Sequence, residues 1–179
     1  NADRLQTIIE DLDAIAKLES GELVMDIERF GIRKLALEIF EEMEIMANEN
    51  NIQLILKDGA AQDFLVKADR ENIAQVLNNL ISNSIKYGKP GGYTKLGFYD
   101  MDQYILVEVA DNGIGISEEH LAHLFDRFYR VDKSRSRAKG GSGLGLSIVK
   151  HVIEAHQQTI NVRSTKNLGS TFGFTLEKA

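Results

Sequence analysis

Two pairs of strand-like runs that follow one another without an intervening helix constrain the fold of this chain most strongly. Residues 93–99 and 104–110 form the first pair, and residues 159–164 and 170–176 form the second. Runs joined by such short connections pair as antiparallel hairpins, because parallel strands need a crossover of about a dozen residues or more. Further extended runs are predicted at residues 23–30, 52–57 and 64–68, and helices at residues 34–48, 70–87 and 145–156. This order predicts an α/β fold with a mixed sheet and helices on one face.

The first twenty residues carry a separate helical pattern. Apolar residues recur there at steps of three and four, at Leu5, Ile8, Leu12 and Ile15. This spacing predicts a helix that packs against another helix. Gly21 follows this pattern and suits a left-handed C-cap. The periodicity leaves open whether the helix docks on its own domain or on a helix from elsewhere.

Composition excludes several classes of function. The 179 residues contain no cysteine, which excludes a disulfide framework, a thiolate nucleophile and cysteine-ligated zinc. No apolar run approaches the ~18 residues of a membrane-spanning helix. The net charge of −6 argues against a nucleic-acid partner. Any phosphate chemistry must therefore come from a local arrangement of residues.

The predicted helix at residues 70–87 has two distinct faces. One face is an apolar stripe that must contact the sheet, and its members are Ile73, Val76, Leu77, Leu80, Ile81 and Ile85. At about 100° per residue, Asn79, Asn83 and Lys86 fall together on another face, with Tyr87 beside them. Amide oxygens suit Mg²⁺ and an ammonium group suits phosphate, but an ordinary solvated face has the same composition.

A short glycine-containing segment follows the first hairpin. Asp111 stands at the strand exit, and Gly113 and Gly115 let a ligand approach the backbone. Ile114 and Ile116 can line an apolar slot. A carboxylate beside such a slot can accept a hydrogen bond from an exocyclic amine, as adenine offers. An Asn-Gly pair is also a common turn signal, so a plain turn remains the alternative.

A basic segment at residues 125–139 precedes a glycine-rich run that opens the last predicted helix. The segment has a net charge of +4 in an acidic protein. Glycines that lead into a helix N-terminus expose backbone N–H groups that bind anions, and a mobile cationic loop can close over them. The alternative is a flexible basic loop without a ligand.

Four segments in this order resemble the N, G1, F and G2 boxes of sensor histidine kinases, a branch of the GHKL ATP-binding superfamily. They begin at Asn79 (NLISNSIKY), Asp111 (DNGIG), Phe125 (FDRFYR) and Gly141 (GSGLGL). The likeness extends from about residue 23 to the C-terminus. Residues 3–21 are similar to the end of the second helix of that family's dimerisation and phosphotransfer domain. The resemblance therefore implies a partial dimerisation helix at residues 1–20 and an ATP-binding catalytic domain at residues 22–179.

The implied fold is a two-layer Bergerat-type sandwich with a mixed, mostly antiparallel sheet, helices on one face and a movable ATP lid. The implied cofactors are ATP and Mg²⁺. Asn83 is the implied magnesium ligand, Lys86 a phosphate contact, Tyr87 a wall of the site, and Asp111 the acceptor for the adenine amino group. Phe125 and Phe128 would anchor the lid. The rest of the implied nucleotide site comprises Gly113, Gly115 and Ile116 at the pocket floor, Arg130 at the terminal phosphate, and Gly141, Ser142, Gly143, Leu144 and Gly145 in the glycine-rich run.

One position separates the activities found in this superfamily. Members that hydrolyse ATP carry a glutamate one turn before the metal-binding asparagine, where this chain has Asn79. Water needs such a base, whereas a neutral imidazole already presents a lone pair. The resemblance thus implies a protein histidine kinase that transfers the γ-phosphoryl group of Mg-ATP to histidine. Asn79, Lys86 and Arg130 are the implied catalytic residues, acting by positioning and charge neutralisation.

The implied phosphate acceptor lies outside this chain. The family's acceptor histidine sits in a box that ends in proline, and the only proline here, Pro90, has no histidine nearby. The implied partners are a histidine-bearing dimerisation domain of the same protein and a response-regulator receiver domain, with a homodimer as the intact assembly. The implied location is a cytoplasmic domain of a protein anchored to the inner membrane.

Two other functions remain open at this stage. A GHKL-type ATPase would release phosphate steadily, which Asn79 disfavours. A nucleotide-binding docking module without catalysis is disfavoured because Asn83, Lys86, Asp111 and Arg130 are all present. The lid at residues 131–141 is expected to be partly disordered without nucleotide, since its composition offers little apolar anchorage.

Overall fold

Helices and strands follow one another largely as the residue pattern predicts. The computed structural model describes residues 2–21, 24–57, 62–131 and 143–179. Within these ranges the elements are α1 (Ala2–Glu19), β1 (Ile27–Gly31), α2 (Ile32–Glu49), β2 (Gln53–Leu56), β3 (Leu65–Asp69), α3 (Arg70–Lys86), β4 (Tyr93–Asp100), β5 (Tyr104–Asp111), α4 (Glu118–Leu121), α5 (Gly145–Ala155), β6 (Ile160–Thr165) and β7 (Gly169–Lys178). The one-turn helix α4 was not predicted, because a single turn is too short to show periodicity. The predicted C-cap glycine, Gly21, has a left-handed φ of +69°.

Antiparallel pairing dominates the sheet. The described strands are ordered β1-β3-β7-β5-β4-β2, and β6 also pairs with β7. Both predicted hairpins, β4–β5 and β6–β7, are antiparallel, and β2–β4 is the only parallel pair among the described strands. The long strand β7 pairs with β5 along one edge and with β6 and then β3 along the other. The prediction of a mixed, mostly antiparallel sheet is confirmed.

Helix α3 lies at the centre of the helical layer. It contacts α2 on one side, α5 on the other, and strands β1, β3, β4 and β5 beneath it. Its predicted apolar stripe is buried, with at most 1% exposure at Ile73, Val76, Leu77, Leu80, Ile81 and Ile85. Burial of apolar side chains is the main force that holds a helix on a sheet. The orientation of α3 is therefore fixed, and its polar face is turned away from the core.

Asp69 determines where α3 begins. Its Oδ1 accepts a hydrogen bond from the backbone N–H of Asn72 at 3.1 Å, and its Oδ2 accepts one from the N–H of Asp26 at 3.0 Å. An aspartate at the N-cap satisfies donors that the first helical turn leaves unpaired. The backbone N–H of Asp69 donates to Nε2 of His156 at 3.0 Å, which ties the end of α5 to the start of α3.

Helix α1 docks on α5 with only part of its predicted apolar seam. Ile15 is 3% exposed and Ile8 is half-buried, whereas Leu5, Ile9 and Leu12 are 43–60% exposed. The predicted stripe is thus covered along one edge only: Ile8 and Ile15 face the domain, and Leu5 and Leu12 face solvent. Neither α1 nor any other described helix has the length and apolar character required to cross a membrane.

Candidate functional site

A cavity of about 280 Å³ lies between α3, the end of β5, the segment before residue 131 and the start of α5. It brings together most of the residues predicted to form the site, namely Asn79, Asn83, Lys86, Tyr87, Asp111, Gly115, Ile116, Arg130, Gly143 and Gly145. Apolar side chains of Val109, Ile114, Ile116, Leu124 and Phe172 also line it. Residues that are far apart in the sequence therefore share one partly apolar cavity with a few polar groups, the usual construction of a small-molecule site.

Asp111 provides a partly buried carboxyl group in this cavity. Its Oδ1 accepts hydrogen bonds from the backbone N–H groups of Gly113 at 2.9 Å and Ser170 at 3.3 Å. Asp111 is paired with Thr94 on the neighbouring strand β4 and with Ser170 on the neighbouring strand β7, so the sheet holds its backbone from both sides. Burial raises the pKa of Asp111, and hydrogen bonds from the two N–H groups and from Ser84 oppose that shift. A partly buried acceptor of this kind favours a ligand that brings its own donor.

The glycines after β5 allow the backbone to pack closely. Gly115 has a φ of +66°, and a Cβ atom there would collide with the carbonyl group of Thr165. A Cβ atom on Gly113 would collide with the carbonyl oxygen of Tyr87, which also accepts the N–H of Ile114 at 3.1 Å. Gly115 lines the cavity, as predicted. Gly113 does not line this cavity and packs against the end of α3, so its place at the pocket floor stays a prediction.

The polar face of α3 lines the cavity beside Asp111. Nδ2 of Asn79 donates to the carbonyl oxygen of Gly145 at 3.4 Å, which links α3 to the first residue of α5. Burial lowers the pKa of Lys86, and the carboxylate of Asp11 opposes that shift. Asn83 lies between these two positions along the same face of the helix. Amide oxygens and an ammonium group in one cavity are the groups that a hydrated Mg²⁺ and a phosphate chain require.

The two phenylalanines of the basic segment have different surroundings. Phe125 packs edge-on against Phe172, with ring centroids 6.4 Å apart. Phe128 is 55% exposed, has a φ of +61°, and donates its backbone N–H to the carbonyl oxygen of Gly143 at 2.9 Å. Phe125 is thus held by packing of its ring, whereas Phe128 is held through its backbone. The expectation that both residues anchor the lid stays a prediction.

The glycine-rich run is described only from residue 143 onward. Gly143 has a left-handed φ of +80° and lines the cavity with Gly145. Leu144 is fully buried and does not line the cavity, because its side chain enters the core where α5 begins. Its assignment to the nucleotide site stays a prediction. Gly141 and Ser142 lie outside the described residues, as do positions 132–141 of the expected lid, so their roles stay predictions.

The cavity also includes residues that the sequence patterns did not single out. Thr7 and Asp11 of α1 form part of its wall. Tyr129 and Ser170 line it as well. A signal for α1 exists, since Thr7, Asp11 and Ile15 are spaced four residues apart and share one face of the helix. Polar residues at that spacing are also typical of a solvated face, so the signal is not specific.

Sequence comparison identifies relatives over almost the whole chain. Residues 68–179 match the family described as Histidine kinase-, DNA gyrase B-, and HSP90-like ATPase. Sensor histidine kinase WalK of Bacillus subtilis (strain 168) is 35% identical over 176 residues, which cover 97% of this chain and 28% of WalK. Phosphate regulon sensor protein PhoR of Haemophilus influenzae is 32% identical, over 98% of this chain and 40% of PhoR. The chain thus spans less than half the length of these two relatives.

Solved structures of histidine kinases have the same fold. The nucleotide-free catalytic domain of histidine kinase ThkA superposes with a TM-score of 0.74 at 31% identity, over 86% of this chain and 97% of that one. ThkA in complex with response regulator protein TrrA gives a TM-score of 0.78 at 29% identity, over 99% and 48% of the two chains. These findings confirm the resemblance and the fold class. The chain belongs to the family of histidine kinase-, DNA gyrase B- and HSP90-like ATPases, as an ATP-binding catalytic domain of the sensor histidine kinase type.

Proposed function

We propose that this chain transfers the γ-phosphoryl group of Mg-ATP to a histidine on another domain. One observation carries the proposal: the partly buried carboxyl group of Asp111 shares a cavity with Asn83 and Lys86. A site that binds only phosphate would not place a partly buried carboxylate in its wall, since a carboxylate repels anions, and a site that binds only a base would not need a partly buried ammonium group. The combination fits a ligand with an amino-bearing base at one end and a phosphate chain at the other.

Each group has a role that its chemistry supports. Asp111 accepts a hydrogen bond from the adenine amino group, against the apolar wall that includes Ile116. Lys86 and Arg130 bind phosphate oxygens as charge-assisted donors. Asn83 holds the cation with an amide oxygen, and Mg²⁺, when bound, neutralises charge on the phosphate chain.

Asn79 favours transfer to histidine over hydrolysis. Its amide cannot deprotonate water, and its Nδ2 donates to the carbonyl oxygen of Gly145. A neutral imidazole attacks the γ-phosphorus with its own lone pair, and an N–P bond forms as the bond to the bridging oxygen breaks. ADP leaves with that electron pair, and the proton on the imidazolium ring is released to solvent. The protein contributes positioning and charge neutralisation, as expected for a loose phosphoryl-transfer transition state.

Three partners belong to this proposal: a histidine-bearing domain of the same protein, a receiver domain and a second copy of the intact protein. The exposed stripe of Leu5, Ile9 and Leu12 on α1 supports pairing with further helices, since it is the apolar face that α1 does not bury on this domain. The structure of ThkA with the response regulator TrrA supports a receiver domain. Anchorage of the intact protein to the inner membrane stays a prediction.

A transfer assay tests the proposed function. It combines the chain, Mg²⁺, ATP labelled on the γ-phosphate, and a separately produced fragment that carries the histidine helix of the same protein. We expect label on the fragment that is lost in acid and kept in base, as a phosphoramidate requires. Asn83→Ala should abolish labelling, whereas Asn161→Ala, on the exposed part of β6, should not.

The assay also separates the alternatives. Steady release of inorganic phosphate with an unlabelled acceptor would favour an ATPase. Binding of ATP with neither release nor transfer, across several acceptor fragments, would favour a docking module. Either result would reject the proposed transfer.

A further inference from the structure

Helix α1 completes the wall of the nucleotide cavity, although it precedes the part of the chain that carries the kinase boxes. Thr7 and Asp11 line the cavity, and Ile15 extends the same helical face into the core. The helix packs along α5, whose first residue, Gly145, also lines the cavity. A change in the position of α1 therefore changes the shape and charge of the site.

The attachments of α1 are modest compared with those of the core helices. Among the α1 side chains whose exposure is described, Ile15 is the one buried apolar side chain. Glu19, at its end, forms an ion pair with Arg127 of the basic segment, and both side chains are nearly half exposed. Exposed ion pairs contribute little to stability. The helix can therefore separate from α5 while the buried stripe of α3 keeps the domain folded.

Asp11 lines the same cavity as Lys86, the proposed phosphate contact. The carboxylate of Asp11 is near enough to Lys86 to raise the pKa of that amine against the effect of burial. Two anionic groups that face one ammonium group in a partly desolvated cavity repel each other. Asp13, on the same helix, differs because it pairs with Lys17 on the exposed surface.

We propose that Asp11 is a specificity-determining residue of the nucleotide site: it disfavours the triphosphate chain while α1 is docked, and so couples the position of α1 to nucleotide binding. The inference rests on the proposed role of Lys86. It concerns only the phosphate end of the ligand, because Asp11 makes no contribution to the surroundings of Asp111 described above. Coupling between two equilibria is reciprocal, so bound ATP must loosen α1 to the same degree.

Calorimetric titration of the full chain with Mg-ATP and with adenosine tests this inference. In Asp11→Asn we expect the Kd for ATP to fall about three- to tenfold, while the Kd for adenosine stays unchanged. The matched control Asp13→Asn removes the same charge from the exposed face and should change neither constant. The gain in Asp11→Asn should shrink as the salt concentration rises, since part of the repulsion is screened.

Three results would overturn the inference. Equal ATP affinity in Asp11→Asn and the wild type would show that Asp11 is neutral toward phosphate, and weaker affinity would make it a favourable contact such as a cation ligand. Equal gains in ATP affinity in Asp11→Asn and Asp13→Asn would show that the effect comes from the net charge of the chain and not from the position of Asp11. Failure of the wild type to bind ATP would instead reject the proposed function on which the inference rests.

Hydrogen exchange gives a second, independent readout. We expect the amides of α1 to exchange faster in the wild-type chain with Mg-ATP than with adenosine, and this difference to vanish in Asp11→Asn. Equal exchange of α1 with both ligands in the wild type would overturn the coupling.

Discussion

The proposed adenine end and the proposed triphosphate end of the cavity are built in different ways. At the adenine end, Asp111 is held between neighbouring strands and Gly115 is wedged against the β6–β7 turn. At the triphosphate end, Asp11, Lys86 and Arg130 come from α1, α3 and the basic segment, which no common sheet joins. Under the proposed assignment, the group that recognises the base is held by the sheet itself, whereas the groups that contact phosphate depend on how separate segments are placed.

The largest expected effect comes from the adenine end. Asp111→Asn should weaken ATP and adenosine binding by about a hundredfold or more, because an amide presents a donor where the adenine amino group needs an acceptor. The free energy of unfolding of the nucleotide-free chain should stay equal or rise, since burial disfavours the carboxylate. Calorimetric titration and urea unfolding measure the two quantities.

Asp100→Asn is the matched control, because Asp100 is an exposed acidic residue at the other end of the same hairpin and pairs with Lys178. It should leave nucleotide affinity unchanged. Unchanged affinity in Asp111→Asn would show that this carboxyl group does not recognise adenine and would remove the distinction between the two ends.

A second prediction contrasts two aromatic residues at the base of the expected lid. Phe125→Ala should lower the free energy of unfolding by about 2 kcal/mol, because its ring packs on Phe172 and leaves a void when removed. Phe128→Ala should change it by less than about 0.5 kcal/mol, because its ring is exposed. Urea unfolding of both variants measures the difference. Equal losses would mean that both rings anchor the lid base.

The triphosphate end gives a smaller effect. Lys86→Met should weaken ATP binding about tenfold and leave adenosine binding unchanged, because it removes one charge-assisted contact with phosphate. The nucleotide-free variant should be at least as stable as the wild type, since burial already disfavours the charged amine. Lys150→Met, on the exposed side of α5, is the control and should retain ATP affinity. A loss of adenosine affinity in Lys86→Met would show that the two ends are not independent.

Sequence-based prediction succeeded where one periodic pattern determines both the fold and the site. The stripe of α3 faces the sheet, and the helical period then turns Asn79, Asn83 and Lys86 toward the cavity. Consecutive strand-like runs with short connections likewise predicted both hairpins. They also predicted that Asp111 lies at the end of β5. These patterns lie within one helix or one hairpin, so they can be read from the sequence without knowing which distant residues come into contact.

The sequence could not indicate which atoms of a motif line the cavity. Gly113 and Leu144 belong to recognised boxes, yet one contacts the carbonyl group of Tyr87 and the other enters the core. The contribution of Asp11 was missed because it depends on how α1 docks, which is a contact between segments far apart in the chain. A motif specifies the order of residues, whereas packing decides which side of the backbone meets the cavity.

The smallest expected effect is the pH dependence of stability, which distinguishes the partly buried groups at the two ends. The pKa of Asp111 is raised in the folded state, so between its ordinary and raised values the folded chain binds a proton that the unfolded chain has released. The free energy of unfolding should therefore fall as the pH rises through this acidic window. For Lys86, whose pKa is lowered, the unfolded chain holds the proton longer, so stability should rise with pH through the alkaline window between the lowered and ordinary values.

Urea unfolding at a series of pH values isolates each contribution when a variant is subtracted from the wild type. The difference in the free energy of unfolding between the wild type and Asp111→Asn should vary with pH only in the acidic window. The corresponding difference between the wild type and Lys86→Met should vary only in the alkaline window. Saturating adenosine should strengthen the preference of Asp111 for the ionised form and so lower the upper edge of the acidic window, because adenosine lowers the pKa of Asp111 in the folded state only. Adenosine should leave the alkaline window in place, since it carries no phosphate for Lys86; a shift of both windows would mean that the two ends respond as one unit.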